Sequence, residues 1–163
     1  MNRTLEKYLD RLGCKGIADK RNIITDIALL LEKNARPNPT DYAALLPPDF
    51  VGLRLSQKDV AAAVSCLMRL LRDEPKYSAV IVWGIGKTFD EKNIEAVLAE
   101  IIRQNRCDDE TFRQISFVVE VITSTRIQEQ FRKIERLRQD VQDCERNVRD
   151  RQDRADECGA CKR

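Results

Sequence analysis

The sequence predicts an all-α protein, and three observations lead to that prediction. No glycine or proline occurs between Lys87 and Cys158, so the residues that most often break a helix are missing from this long stretch. Its apolar residues recur every three or four positions, the spacing of one helix face. Glycines and prolines elsewhere fall between shorter runs with the same spacing. We therefore expect antiparallel helical hairpins stacked as a short α-solenoid or bundle, followed by a long C-terminal helix.

Glycine and proline set the bounds of the first predicted helices. Residues 3–12 form the first helix, which stops at a glycine, and residues 18–33 form the second, which ends before two prolines. A short helix over 41–46 is stopped by a proline pair, because the residue before a proline is pushed out of helical geometry. Residues 49–55 are expected to form an irregular or extended connection, the one segment where strand-like geometry is anticipated.

Capping residues open the later helices. Ser56 and Asp59 are spaced as in a capping box, with aspartate in place of the usual glutamate, and they open a helix that runs to residue 72. Proline fits the first turn of the next helix, where its missing N–H costs nothing. The remaining predicted starts are Pro75, Asp90, Asp108 or Asp109, and Thr125, the last through a second possible capping box with Gln128.

The middle of the chain carries a possible repeat. Tyr42, Tyr77 and Phe112 are each 35 residues apart, which is about the length of one helix pair, although coincidence remains an alternative. The segment Pro75-Lys-Tyr-Ser-Ala-Val-Ile-Val-Trp-Gly-Ile-Gly, followed by Asp90 and Ile94-Glu-Ala-Val-Leu, resembles a HEAT-like α-helical repeat over roughly residues 73–122. That resemblance implies an α-solenoid that binds protein through a groove and has no chemistry of its own.

The C-terminal helix carries half of a coiled-coil seam. Its a positions are apolar, whereas its d positions become polar toward the end. A parallel homodimer is disfavoured, because it would place Lys133 beside Arg138 and Asp140 beside Glu145 of the other chain. We expect an antiparallel pairing, a different partner helix, packing of the first half onto the body, or a solvated extension with no partner. The a positions are Ile127, Ile134, Val141, Val148 and Ala155, and the d positions are Gln130, Leu137, Cys144, Arg151 and Cys158.

These patterns give a candidate partner-binding set. Trp83 lies next to a glycine, so the purely structural interpretation is that it packs in the core against a closely approaching helix. The alternative is that aromatic side chains anchor a partner, as they often do at binding hot spots. The predicted partner-binding residues are Tyr77, Trp83, Ile127, Phe131, Ile134, Leu137, Val141 and Val148.

Composition disfavours an enzyme. The chain has no histidine, the usual proton-transfer and metal-binding side chain near neutral pH, and capping explains its acidic pairs, so we expect no catalytic residues and no cofactor. The predicted function is a non-catalytic protein–protein interaction module, an adaptor, chaperone or inhibitor of the immunity-protein type. The predicted domains are a helical body over 1–124, a charged helix over 125–157 and a flexible tail over 158–163.

Two other functions remain open. The net charge of +2 disfavours nucleic-acid binding, although arginines and a lysine of the last helix could contact phosphates. Cys158 and Cys161 have the spacing of half a zinc site, and two chains could share one ion, although incidental cysteines are expected. No apolar run reaches the roughly 18 residues of a membrane span, and no signal peptide is evident, so we expect a cytoplasmic protein with reduced thiols. The basic residues concerned are Arg132, Lys133, Arg136, Arg138 and Arg146.

Overall fold

The computed structural model describes residues 1–14, 19–36, 44–120, 122 and 124–160, with side chains described up to residue 149. Most of these residues are helical, and no strand occurs among them, so the all-α prediction is confirmed. A 3-10 turn, Pro75–Tyr77, precedes the fifth helix. The helices are α1 (Arg3–Gly13), α2 (Lys20–Ala35), α3 (Pro48–Val51), α4 (Gln57–Asp73), α5 (Ser78–Gly86), α6 (Glu91–Gln104), α7 (Asp109–Glu120) and α8 (Thr125–Ala160).

The helices alternate between two layers. Helices α2, α5 and α7 pack side by side in one layer, while α6 packs on α8 in the other, beside α4 and α1. The two most extensive contacts, α5 with α7 and α6 with α8, therefore join helices that are two apart in the chain, as in a stack of helical hairpins. Tyr77 and Phe112 stand near the starts of α5 and α7, which are neighbours in the first layer. Tyr42 lies outside the described residues.

Helix α5 occupies the centre because it is apolar on all sides. Two glycines let its neighbours approach closely. A Cβ on Gly84 would lie 3.1 Å from the Cβ of Ala28 on α2, and a Cβ on Gly86 would lie 2.4 Å from the Cγ2 of Val118 on α7. At these two glycines the sequence predicts a loosened helix. In the structure Gly84 lies inside α5 and Gly86 is its last residue, so close packing on α2 and α7 keeps α5 regular up to Gly86, where it ends.

The predicted caps are formed at the two clearest positions. Ser56 accepts the Asp59 N–H and Asp59 accepts the Ser56 N–H, which completes the capping box of α4. Asp59 also accepts the N–H of Asn2, whose side chain caps α1, so the starts of two helices are joined. Asp90 caps α6 by accepting from Lys92 and Asn93.

Two local predictions need correction. The segment 49–55 begins as helix, because Pro48 occupies the first turn of α3, where a proline is preformed for helical geometry. The amide of Gln128, predicted to close a capping box, donates to the carbonyl oxygens of Val119 and Ile122 at the end of α7. The predicted helix over 41–46 lies partly outside the described residues, and 44–46 form a turn.

Candidate interaction surface

The first half of α8 packs against the body. Ile127 and Ile134 are 1% and 0% exposed, and both belong to the main hydrophobic core. Two ion pairs fix the same half, one from Arg126 to Glu95 of α6 and one from Arg138 to Asp109 of α7. The body therefore covers the first heptads of the seam, as one of the sequence alternatives anticipates.

Beyond the ion pair of Arg138, α8 leaves the body. Val141 is 51% and Val148 57% exposed, and Cys144 between them is also exposed. The described side chains from 139 to 149 are all exposed except half-buried Asp143. Leu137 lies half-buried where the two parts meet. The apolar seam consequently continues into solvent; we call residues 139–149 the projecting segment.

A groove runs along α7 beside Arg138 of α8. Phe112 stacks on Phe131 of α8, with ring centroids 5.6 Å apart, and the Arg138 guanidinium carbon lies 4.4 Å from the Phe112 centroid. The groove has a volume of about 390 Å³, and Phe117 on its rim is 59% exposed. We call this feature the α7 groove. It is lined by Asp109, Phe112, Arg113, Ser116, Phe117, Glu120 and Arg138.

Sequence reasoning did not single out the α7 groove. Phe117 lies off the apolar stripe of its helix, since the buried residues of α7 are Thr111, Ile115 and Val119. An aromatic side chain that breaks the period of its own helix is the signal that could have identified it.

Tyr77 and Trp83 lie away from the α7 groove. Trp83 is half-buried, and the Lys87 ammonium lies 5.2 Å from the centre of its ring. The same ammonium pairs with the buried carboxylate of Glu32 at 2.9 Å. Tyr77 is also half-buried, with the Lys76 ammonium 5.0 Å from its ring centre. The structure brings neither aromatic to the seam of α8, and their role in partner binding stays a prediction.

A polar notch lies where α4, α5, α6 and α7 meet. Its volume is about 390 Å³. Thr111, 1% exposed, lies in its wall, and its hydroxyl has no hydrogen-bond partner among the described residues. Carboxylates and cations both line the notch, so no single ligand charge is selected. The lining residues are Asp73, Glu74, Pro75, Lys76, Ser78, Gln104, Arg106, Asp108 and Thr111.

Among the described cysteines, Cys107 has a thiol that is hard to ionise. Burial, together with the nearby carboxylate of Asp108, raises the pKa of the Cys107 thiol to about 11, so it is protonated at neutral pH. No group of three potential metal ligands occurs among the residues that the structure describes. The cysteines proposed for zinc lie elsewhere: Cys161 and the side chain of Cys158 are outside the described part of the chain.

The basic residues of α8 are divided among different surroundings. Arg138 is bound to Asp109, and Arg146 lies 3.8 Å from Asp143. Arg132, Lys133 and Arg136 are exposed, with the acidic residue at 135 among them. They form no purely basic stripe on the described part of α8.

Comparisons with known proteins returned no similar protein: no family model, curated protein or solved structure matches the chain. Among the described helices, none is both long and apolar enough to cross a membrane.

Proposed function

We propose that this chain is a non-catalytic protein–protein interaction module that binds a protein partner through the projecting segment of α8. The observation that supports the proposal is the exposed seam of Val141, Cys144 and Val148, which continues a register that the body buries in its first half. Apolar side chains repeated at heptad spacing on an exposed helix are the usual means by which one helix recognises another.

The fold offers a rigid base for such a segment. Ile127 and Ile134 anchor the helix in the core, and Arg138 is held by Asp109 just before the segment begins. A helix that is already formed loses less conformational entropy on binding than a disordered peptide would. Adaptor, chaperone and inhibitor roles all remain compatible with this arrangement.

The stacked hairpins are also consistent with the HEAT-like resemblance over residues 73–122. The packing of α5 on α7 and of α6 on α8 is the arrangement that such repeats use. We include that assignment, together with a cytoplasmic location based on the cysteine content of the sequence, in the proposal.

The proposal is tested by affinity capture with the full chain and two point variants, Val141→Glu and Val148→Glu. Both positions are already exposed, so the variants are expected to fold while placing charge on the seam. Val51→Glu is the matched control, because Val51 is 49% exposed and lies in α3, away from α8.

Partner proteins that are lost with both seam variants and retained with the control would support the proposal. Identical sets of captured proteins for all four chains would refute it. Circular dichroism of each variant confirms that a lost interaction does not come from unfolding.

A further inference from the structure

The projecting segment carries a charge on each side of its apolar seam, and both charges are negative. Asp140 directly precedes Val141 at a g position of the heptad, and Glu145 directly follows Cys144 at an e position. We propose that the partner of this segment is a helix of another protein whose apolar face is flanked by lysine or arginine. The inference rests on the proposed function, since it names the chemistry of the partner that binds the same segment of α8.

Helical geometry places both carboxylates beside the seam. Successive residues of an α-helix are about 100° apart around its axis. Measured from the centre of the seam, Asp140 lies about 70° to one side and Glu145 about 70° to the other, and both residues are exposed. Residues at the e and g positions border the apolar layer and meet the charges of a partner helix. A helix that covers the seam therefore lies against two carboxylates.

The basic residues of the projecting segment lie farther from the seam. Arg149 is about 105° from the centre of the seam, and Arg146 is about 165° away, on the back of the helix. Arg146 also lies 3.8 Å from Asp143, which is itself turned away from the seam. Just before the segment, the guanidinium of Arg138 is held by the body through its ion pair with Asp109. The charges nearest to the exposed seam are consequently the two carboxylates.

A second copy of this chain matches the seam less well than a basic helix does. Its own projecting segment carries the same two carboxylates, and parallel pairing would bring Asp140 of one copy against Glu145 of the other. A helix with lysine or arginine on both flanks gains two attractive contacts whether it runs parallel or antiparallel to α8. The charge pattern therefore favours a different, basic partner.

The contact is short, so the affinity is low. The exposed seam offers the side chains of Val141, Cys144 and Val148, and the sequence places Arg151 at the next d position. Exposed charge pairs contribute modestly and are screened by salt. Binding should consequently be weak and should depend on ionic strength.

The probes are two synthetic peptides about three heptads long, because shorter helices are marginal in isolation. Both have isoleucine at a and leucine at d, while one has lysine and the other glutamate at every e and g position. Binding of each labelled peptide to the full chain is measured by fluorescence anisotropy at low and high salt. The wild-type chain should bind the lysine peptide about tenfold more tightly than the glutamate peptide, since two contacts change from attraction to repulsion, and salt should narrow the difference.

Glu145→Lys and Asp143→Lys form a matched pair of variants. They make the same change in charge two residues apart, but Glu145 borders the seam, whereas Asp143 lies about 135° from its centre. Glu145→Lys should remove the preference, because one attractive and one repulsive contact then remain with either peptide. Asp143→Lys should keep it. Val141→Ser should weaken the binding of both peptides and leave the preference unchanged, and circular dichroism checks that each variant stays helical.

Equal binding of the two peptides would overturn the inference, and so would binding of neither. A preference that Asp143→Lys removes as fully as Glu145→Lys would also overturn it, because the attraction would then come from the overall charge of the helix. The same holds for a wild-type dimer in sedimentation velocity that Val141→Ser weakens, since a second copy would then cover the seam.

The outcomes separate this inference from the proposed function. If Val141→Glu and Val148→Glu lose captured proteins while the two peptides bind equally, the proposed function stands and the basic partner is refuted. If the lysine peptide is preferred as described while all captured proteins are unchanged, only the proposed function falls.

Discussion

Replacing Gly86 with alanine tests how closely α5 and α7 pack. The new Cβ would lie 2.4 Å from Cγ2 and 3.3 Å from Cγ1 of Val118, whereas separations below 3.0 Å are essentially never found for real Cβ atoms. Val118 is β-branched and sits in a helix, so its side chain has little freedom to turn away. Either α7 moves or the valine adopts a strained rotamer.

The expected size follows from two opposing effects. Overpacking of this kind costs about 1–3 kcal/mol. Alanine gains at most about 1 kcal/mol over glycine within a helix, and less at the last residue of α5, which Gly86 occupies. We expect Gly86→Ala to destabilise the protein by about 1–2 kcal/mol, equivalent to a drop in Tm of roughly 2–8 °C for a chain of this size.

The assay is urea unfolding followed by circular dichroism, with Val118→Ala as the partner in a double-mutant cycle. Shortening Val118 removes the clash. The loss of unfolding free energy in the double variant should therefore be smaller than the sum of the two single losses by about 1 kcal/mol or more. Gly84→Ala is the control within the same helix. Its Cβ would meet the Cβ of Ala28 at 3.1 Å, a contact that a small shift relieves, and its net effect should stay within about 1 kcal/mol of wild type. The close packing would be refuted if Gly86→Ala left the free energy of unfolding unchanged and its effect simply added to that of Val118→Ala.

Three further predictions concern acid stability, the anchoring of α8 and thiol reactivity. Hydrogen bonds from Ser56 and Asn2 hold the pKa of Asp59 below its ordinary value of 3.8. The stability that these bonds supply is fully present above that value and is lost as the pH falls through the folded-state pKa. Asp59→Asn should therefore flatten the acid branch of a curve of unfolding free energy against pH. Ile134→Ala should cost about 2–5 kcal/mol in urea unfolding because its side chain is fully buried, whereas Val141→Ala should change stability by less than about 0.5 kcal/mol; equal effects would contradict the division of α8 into two halves. Alkylation at pH 8, followed by peptide mass spectrometry, should label exposed Cys14 and Cys144 well before Cys107, whose pKa is about 11; early labelling of Cys107 would contradict its burial.

Local signals in the sequence were sufficient for most of the helices. Ser56 with Asp59, and Asp90 alone, mark helix starts because a capping side chain satisfies N–H groups within the next few residues. Such bonds are short in sequence and do not depend on the rest of the fold. The sequence predicts that Pro48 ends a helix, whereas it begins α3. A proline can both end one helix and suit the first turn of another, and the sequence does not distinguish the two roles.

Features that depend on distant residues could not be predicted in the same way. The amide of Gln128 has a suitable position for a capping box, yet it donates to the carbonyl oxygens of Val119 in α7 and of Ile122 just beyond it, because the turn between α7 and α8 brings them within hydrogen-bond distance. The groove beside Phe117 likewise requires knowing which side of α7 packs on α5. Gly86 shows the same limit, since only the structure identifies Val118 as the side chain it accommodates.

The seam of α8 shows how one continuous pattern can serve two purposes. Heptad spacing alone cannot tell where the body ends, because covered and exposed heptads follow the same register. Residue size does change at that point, from Ile127 and Ile134 to Val141 and Val148. A valine exposes one methylene less than an isoleucine, which lowers the cost of its exposure by about 0.8 kcal/mol. Smaller side chains therefore lower the free-energy cost of leaving residues 141 and 148 in water; under the proposed function they would also reduce the apolar area that a partner could bury.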